Sequence, residues 1–165
     1  MTRILLLSDT HNFLDERVLK YAGTCDQIWH AGDIGAIAVI DELKKIKPLI
    51  AVHGNIDGTD IRRQFPKIHR FKCENVDVVI THIGGSPNRY ETDIKQILNA
   101  NPPKLFICGH SHILKVMYDK KYNLLYMNPG AAGNYGIQKV KTLLRFGIEK
   151  NEIKNLEVIE LGKNI

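Results

Sequence analysis

Seven side chains suited to holding metal ions follow five short apolar runs in this chain. The run 4–7 leads to Asp9 and His11, 28–29 to Asp33, and 49–52 to Asn55. The run 78–80 leads to His82, and 105–107 to His110 and His112. Oxygen and imidazole donors without thiolates suit Mn, Fe, Zn, Co or Ni rather than a Cys-rich structural zinc site. Seven donors are more than one tetrahedral ion takes, whereas two ions sharing a carboxylate would use them all. The chemistry expected of such a pair is metal-dependent hydrolysis.

The spacing supports convergence. Asp9-Thr10-His11 and His110-Ser111-His112 each separate two donors by two residues. On an extended backbone that spacing aims both side chains the same way. Gly32, Gly54 and Gly109 each precede a donor, and Gly84-Gly85 comes just after His82, allowing close backbone approach at a crowded site.

Strands must carry these donors. Short aliphatic runs closed by Gly, Asp and Asn read as buried strands, and ligands gather at the carboxyl ends of strands in open α/β sheets. The first third alternates: a strand over 3–8, a helix over 13–23, a strand over 26–30, a helix over 36–46 and a strand over 48–53. Such βαβαβ order implies parallel strands with right-handed crossovers. Beyond residue 64, strands over 67–73 and 76–81 turn at Glu74-Asn75, and a helix over 91–100 is stopped by Pro102-Pro103. Strands over 104–108, 113–118, 123–128, 140–148 and 152–160 follow, with turns at 119–123 and 150–151. Parallel α/β followed by antiparallel β implies two sheets packed face to face with helices outside.

Composition narrows the setting. With 165 residues the chain suits one domain over 1–165 with a real core. No stretch reaches the roughly 18 to 20 apolar residues of a membrane span, and the amino-terminal run is too short for a secretory signal. The expected setting is cytoplasmic, with no membrane partner. Cys25, Cys73 and Cys108 are odd in number and form no CxxC pattern, so reduced thiols are expected. The net charge of +5 lies in scattered pairs without interleaved aromatics, which argues against a polymeric nucleic-acid partner.

Taken in order, Asp-x-His at 9–11, Gly-Asp at 32–33, Gly-Asn-x-Asp at 54–57, the strand-end His82 and Gly-His-x-His at 109–112 resemble the calcineurin-like metallophosphoesterase superfamily. Asn128-Pro129-Gly130 extends the likeness to its small, cap-less YfcE-type phosphodiesterase branch, related to the Vps29-like fold. The resemblance implies a four-layer αββα sandwich of two mixed β-sheets flanked by helices. It implies one ion on Asp9, His11, His112 and Asp33, and another on Asp33, Asn55, His82 and His110. It also implies a binuclear-metal-dependent phosphodiesterase that hydrolyses a small or nucleotide-like phosphodiester by attack of a metal-bridging hydroxide. Asp33, Asn55 and His82 take the catalytic part; Mn²⁺ is the first choice of ion, then Ni²⁺, Co²⁺, Fe²⁺ or Zn²⁺. A Vps29-like interaction scaffold is the alternative, disfavoured because no ligand is degraded; a nuclease ranks below it.

One position departs from the wider superfamily. Where many members carry Gly-Asn-His, with that His thought to protonate the leaving group, this chain has Ile56. A metal-bound water or His30 is the substitute acid considered. Asp57, His30 and His53 are expected behind the ligands, and Asn12, Gly84, Arg89 and Gly130 as phosphate contacts. Plainer roles compete: Asp9, Asp33 or Asn12 as helix caps, Asn55 as a turn residue, and His30 and His53 as packing residues. Edge strands late in the chain leave room for a homo-oligomer.

Overall fold

The computed structural model describes residues 1–163 and contains two five-stranded mixed sheets. The first has the order β10-β9-β1-β2-β3, from β1 (Thr2–Leu7), β2 (Gln27–His30), β3 (Leu49–Ala51), β9 (Val140–Glu149) and β10 (Glu152–Lys163). The second has the order β4-β5-β6-β8-β7, from β4 (Ile68–Cys73), β5 (Val76–Thr81), β6 (Leu105–Ile107), β7 (Leu114–Asp119) and β8 (Leu124–Pro129). Helices α1 (Glu16–Gly23), α2 (Ile37–Ile46), α3 (Thr59–Gln64) and α4 (Thr92–Ala100) complete the described elements.

The continuous apolar runs are explained by burial on both faces of each sheet. Along β1, Ile4 and Leu6 point into the core between the sheets, while Leu5 and Leu7 point to the helices outside. The same alternation places Val78, Ile80, Leu105 and Ile107 between the sheets and Val79 and Phe106 against α4. Val18, Val39, Ile40 and Leu43 of α1 and α2 close the outer face of the first sheet. Truncating one fully buried Leu of this kind to Ala costs about 2–5 kcal/mol.

Three features depart from the sequence reading. Strand β6 is parallel to both β5 and β8, so the second sheet holds a parallel centre between antiparallel edges. Helix α1 begins at Glu16 because Asp15, whose carboxylate accepts from the Arg17 backbone N–H, caps it there and leaves residues 13–14 in the loop. The six-residue α3 was not expected: its sequence TDIRRQ buries only Ile61 and shows no apolar period.

Candidate metal centre

Parallel strands bring the seven donors to one edge. Asp9 and His11 follow β1, Asp33 follows β2, Asn55 follows β3, His82 follows β5, and His110 and His112 follow β6. The loops are laced to one another by the main chain. The N–H groups of Asp9 and His11 donate to the carbonyls of Gly32 and Asp33 in the first sheet, and that of Gly109 donates to the His82 carbonyl between neighbouring strand ends of the second.

The backbone achieves convergence differently from the extended geometry expected. Asp9, His11, Asp33, His110 and His112 have φ of 55°, 45°, 54°, 68° and 61°. Left-handed conformations at non-glycine residues are uncommon and cluster where function holds the chain. Neither Asp9 nor Asp33 caps a helix, and neither does Asn12, because Asp15 and Ala36 hold the first two cap positions.

Each carboxylate has one oxygen occupied by the protein and one aimed inward. Oδ2 of Asp9 accepts from Ser8 Oγ at 2.6 Å and from the His110 backbone N–H at 3.1 Å. Its Oδ1 lies 3.1, 3.7 and 3.8 Å from Nε2 of His112, His11 and His82. Oδ1 of Asp33 accepts from the Ile56 N–H, while Oδ2 lies 3.1 Å from His82 Nε2 and 3.4 Å from His11 Nε2. Asp33 Oδ2 therefore stands between two clusters, Asp9/His11/His112 and Asp33/His82/His110, within each of which the donor atoms lie within 4.8 Å of one another. Asn55 lies on an exposed loop beside the second cluster and shares a small cavity with His82.

Hydrogen bonds orient the imidazoles. Nδ1 of His82 donates to the Ala31 carbonyl at 2.7 Å, and Nδ1 of His112 donates to Gln138 Oε1 at 2.8 Å, each turning Nε2 inward. Among the described residues, Asp9 Oδ1, His11 Nε2 and His82 Nε2 are buried without an aligned hydrogen-bond partner. Nitrogen lone pairs and carboxylate oxygens left facing one another without alignment require a proton or a cation between them. The donor set fits divalent ions.

The electrostatics agree. Burial alone would raise the Asp9 carboxyl, but His11 and His112 hold it well below its usual range. Burial likewise opposes the lowering of Asp33 by His82, and in turn the raising of His82 by Asp33 and Asp9. His112 is raised first by its contact with Asp9.

Supporting residues divide clearly. Asp57, which is buried, accepts from the N–H groups of Ile34, Gly35 and Gly54 and so ties the loops after β2 and β3. His53 Nδ1 donates to the Phe65 carbonyl at 2.9 Å beside the Asn55 loop. His30 is fully buried: Nδ1 accepts from the Gly32 N–H and Nε2 donates to Thr10 Oγ, which itself donates to the Ile34 carbonyl. Burial pushes it down to about 4, so it is neutral, has both nitrogens engaged, and is no leaving-group acid.

Of the expected phosphate contacts, Gly84 and Arg89 line a cavity of about 390 Å³ beside His110, together with Lys115. Asn12 is exposed on the rim next to His11. Gly130 differs, because it is buried and its N–H donates to Asn128 Oδ1. Asn128 also donates to the Gly109 carbonyl and to Ser111 Oγ, bracing the loop of the last two histidines. The sequence reading missed Ser8, Gln138 and Arg62. Arg62, on α3, donates to the carbonyls of Gly54, Asn55 and Asp57.

The family model of the calcineurin-like phosphoesterase superfamily domain matches residues 2–151. The chain belongs to that superfamily. A curated relative, a probable metallophosphoesterase from Methanocaldococcus jannaschii, is 24% identical over 132 residues, which cover 76% of this chain. The match spans 66% of that relative's own length, just under two thirds. Among solved structures, an archaeal phosphodiesterase superposes with a TM-score of 0.77 at 22% identity, covering 96% of this chain and 99% of the other. Vps29 from Entamoeba histolytica, complexed with zinc, gives 0.76 at 16% identity, covering 96% and 98%. A predicted phosphoesterase from Streptococcus pneumoniae gives 0.71 at 18%, covering 96% and 89%. These likenesses establish the metallophosphoesterase fold of two mixed sheets with flanking helices.

Proposed function

We propose that this calcineurin-like phosphoesterase is a binuclear-metal phosphodiesterase acting on a small or nucleotide-like diester. The observation that carries the reading is Asp33 Oδ2, placed between His82 Nε2 at 3.1 Å and His11 Nε2 at 3.4 Å, with orphaned buried donors on both sides. Asp9, His11, His112 and Asp33 would hold one ion, and Asp33, Asn55, His82 and His110 the other. The ions would supply Lewis acidity and an activated water nucleophile. Mn²⁺ is the first candidate for this oxygen- and imidazole-rich set.

The chain's own residues do the positioning. Ser8 and the His110 N–H fix Asp9; Ala31 and Gln138 fix the tautomers of His82 and His112. Arg89, Lys115 and Gly84 line the cavity on the His110 side, where a substrate's anionic oxygens would meet guanidinium and ammonium groups. No side chain at position 56 can protonate a leaving group, and His30 is buried and neutral. The substrates favoured are therefore diesters whose leaving group departs without a strong acid.

Hydrolysis of bis-p-nitrophenyl phosphate by protein loaded in turn with Mn²⁺, Ni²⁺, Co²⁺ and Zn²⁺ tests the reading. Turnover is expected with Mn²⁺. Absence of turnover with all four would sink it.

A further inference from the structure

The segment 131–139 lies against the loops that carry Asp9, His11 and His112, and the chain anchors it densely. The N–H groups of Ala132 and Gly133 donate to the carbonyls of Ser8 and Asp9. Lys141 Nζ, buried beneath, donates to Asn134 Oδ1 and pairs with Asp15. Gln138 Nε2 donates to the carbonyls of Gly133 and Tyr135, while its Oε1 holds His112. At the apex of this scaffold, the Tyr135 ring lies 4.8 Å from the His11 ring at an interplanar angle of 31°.

That ring packs on His11 and is otherwise largely exposed. Tyr135 is 68% exposed although its neighbours are fixed, and Ile137 two residues on is 91% exposed. Phe13, on the loop that carries His11, adds a further exposed apolar surface at this rim. A largely exposed ring packed against a candidate metal ligand, on a backbone fixed by hydrogen bonds, is a preorganised platform for a planar group. Side-chain ordering at the surface costs free energy, and stacking of an aromatic ligand is what would offset it.

We infer that Tyr135 stacks on a planar, nucleobase-like group of the substrate, one sugar away from the phosphorus held at the metal centre. This rests on the phosphodiesterase reading and names its substrate class: a diester of a nucleoside rather than of a simple alkyl alcohol. The opposite flank, with Arg89 and Lys115, would face the phosphate side. Tyr135 is a specificity residue and takes no part in bond breaking. A protein partner is the competing occupant of the same apolar rim, and it would not depend on a base.

The test compares two diesters with the same leaving group, thymidine 5′-(p-nitrophenyl) phosphate and methyl p-nitrophenyl phosphate, on wild type, Y135F, Y135L and Y135A. For the thymidine ester, Y135L and Y135A are expected to raise KM about 10-fold, the scale of one lost base–aromatic stack, with kcat little changed and Y135F near wild type. For the methyl ester, KM is expected to stay the same in all four proteins. Equal losses on both esters, or none on either, would overturn the inference. Calorimetric binding of 5′-AMP and ribose 5-phosphate to the Mn²⁺-loaded proteins separates the two readings. If wild type hydrolyses neither ester, the phosphodiesterase reading fails. Tyr135 then stands only if Y135A weakens 5′-AMP and not ribose 5-phosphate, and it falls if both are unchanged or equally weakened.

Discussion

The backbone N–H of Ile56 donates to Asp33 Oδ1 at 3.1 Å, so the residue at the position of the missing acid is tied to the carboxylate shared by both candidate ion sites. Its side chain is 45% exposed and, being aliphatic, has no proton to give a leaving group. The main chain at 56 thus positions Asp33, and only the side chain differs from the wider superfamily pattern. Replacing Ile56 with His should leave that N–H in place and add a proton donor. The expected outcome is a larger gain in kcat for methyl p-nitrophenyl phosphate losing methanol than for loss of p-nitrophenolate. Product ratios by NMR measure it, and an unchanged ratio would remove Ile56 from the account.

Gly54 approaches Asp33 so closely that an added Cβ would collide with both its Oδ1 and its backbone nitrogen. A backbone atom cannot swing aside, so G54A must displace the Asp33 loop. The variant is expected to lose at least one ion and about 100-fold or more in kcat/KM, a few kcal/mol of transition-state stabilisation. Metal content by mass spectrometry and steady-state kinetics check this. Full occupancy with normal turnover would show that the loop tolerates the shift.

Gln138 holds His112 from a distance of 26 residues in sequence, through Nδ1–H···Oε1 at 2.8 Å. Loss of an outer hydrogen bond to a metal-ligating His typically weakens metal affinity by about 10–100-fold. Q138A is expected to show that loss for one of the two ions by titration calorimetry, with the other ion little affected. An equal loss at both ions would place Gln138 in a general structural role instead.

Protons and metal ions compete for the inward-facing nitrogens. His82 and His112 are raised above their ordinary 6.5 by Asp33 and Asp9, so in metal-free protein their stabilisation is complete below about 6.5. It is lost as pH rises through the higher folded values. Asp9 and Asp33 are lowered and stabilise above their ordinary 3.8, losing that contribution only in acid. Metal-free protein should therefore show a Tm that falls as pH is raised from 6 toward 8, about the range just above the ordinary histidine value. With Mn²⁺ bound the fall should vanish, because the ions replace the protons. Scanning calorimetry with chelator and with Mn²⁺ reads both curves; parallel curves would contradict the assignment of these histidines.

The strand-end placement of the donors is legible in the sequence because burial on both sheet faces makes continuous apolar runs, and each run stops where polar residues begin. The left-handed backbone at Asp9, Asp33 and the paired histidines is not legible: residue type permits it, but the laced main-chain hydrogen bonds impose it. Helix α3 escaped because six mostly polar residues with one buried apolar side chain carry no period. Missing α3 also hid Arg62, which clamps the Asn55 loop from that helix. Strands β9 and β10 are readable as a hairpin, but the return of β9 to pair with β1 is a tertiary choice that local pattern does not encode. Gly130 illustrates the converse, since its motif is visible while the donation of its N–H to Asn128 is visible only in three dimensions.

The most direct measurement titrates Mn²⁺ into metal-free protein, following bound metal and bis-p-nitrophenyl phosphate hydrolysis together. Two ions meeting at Asp33 predict that hydrolysis rises to its limit as occupancy approaches two ions per chain, and that D33N loses both the second ion and the activity. Saturation at one ion, or two bound ions without hydrolysis, would contradict a binuclear phosphodiesterase centre.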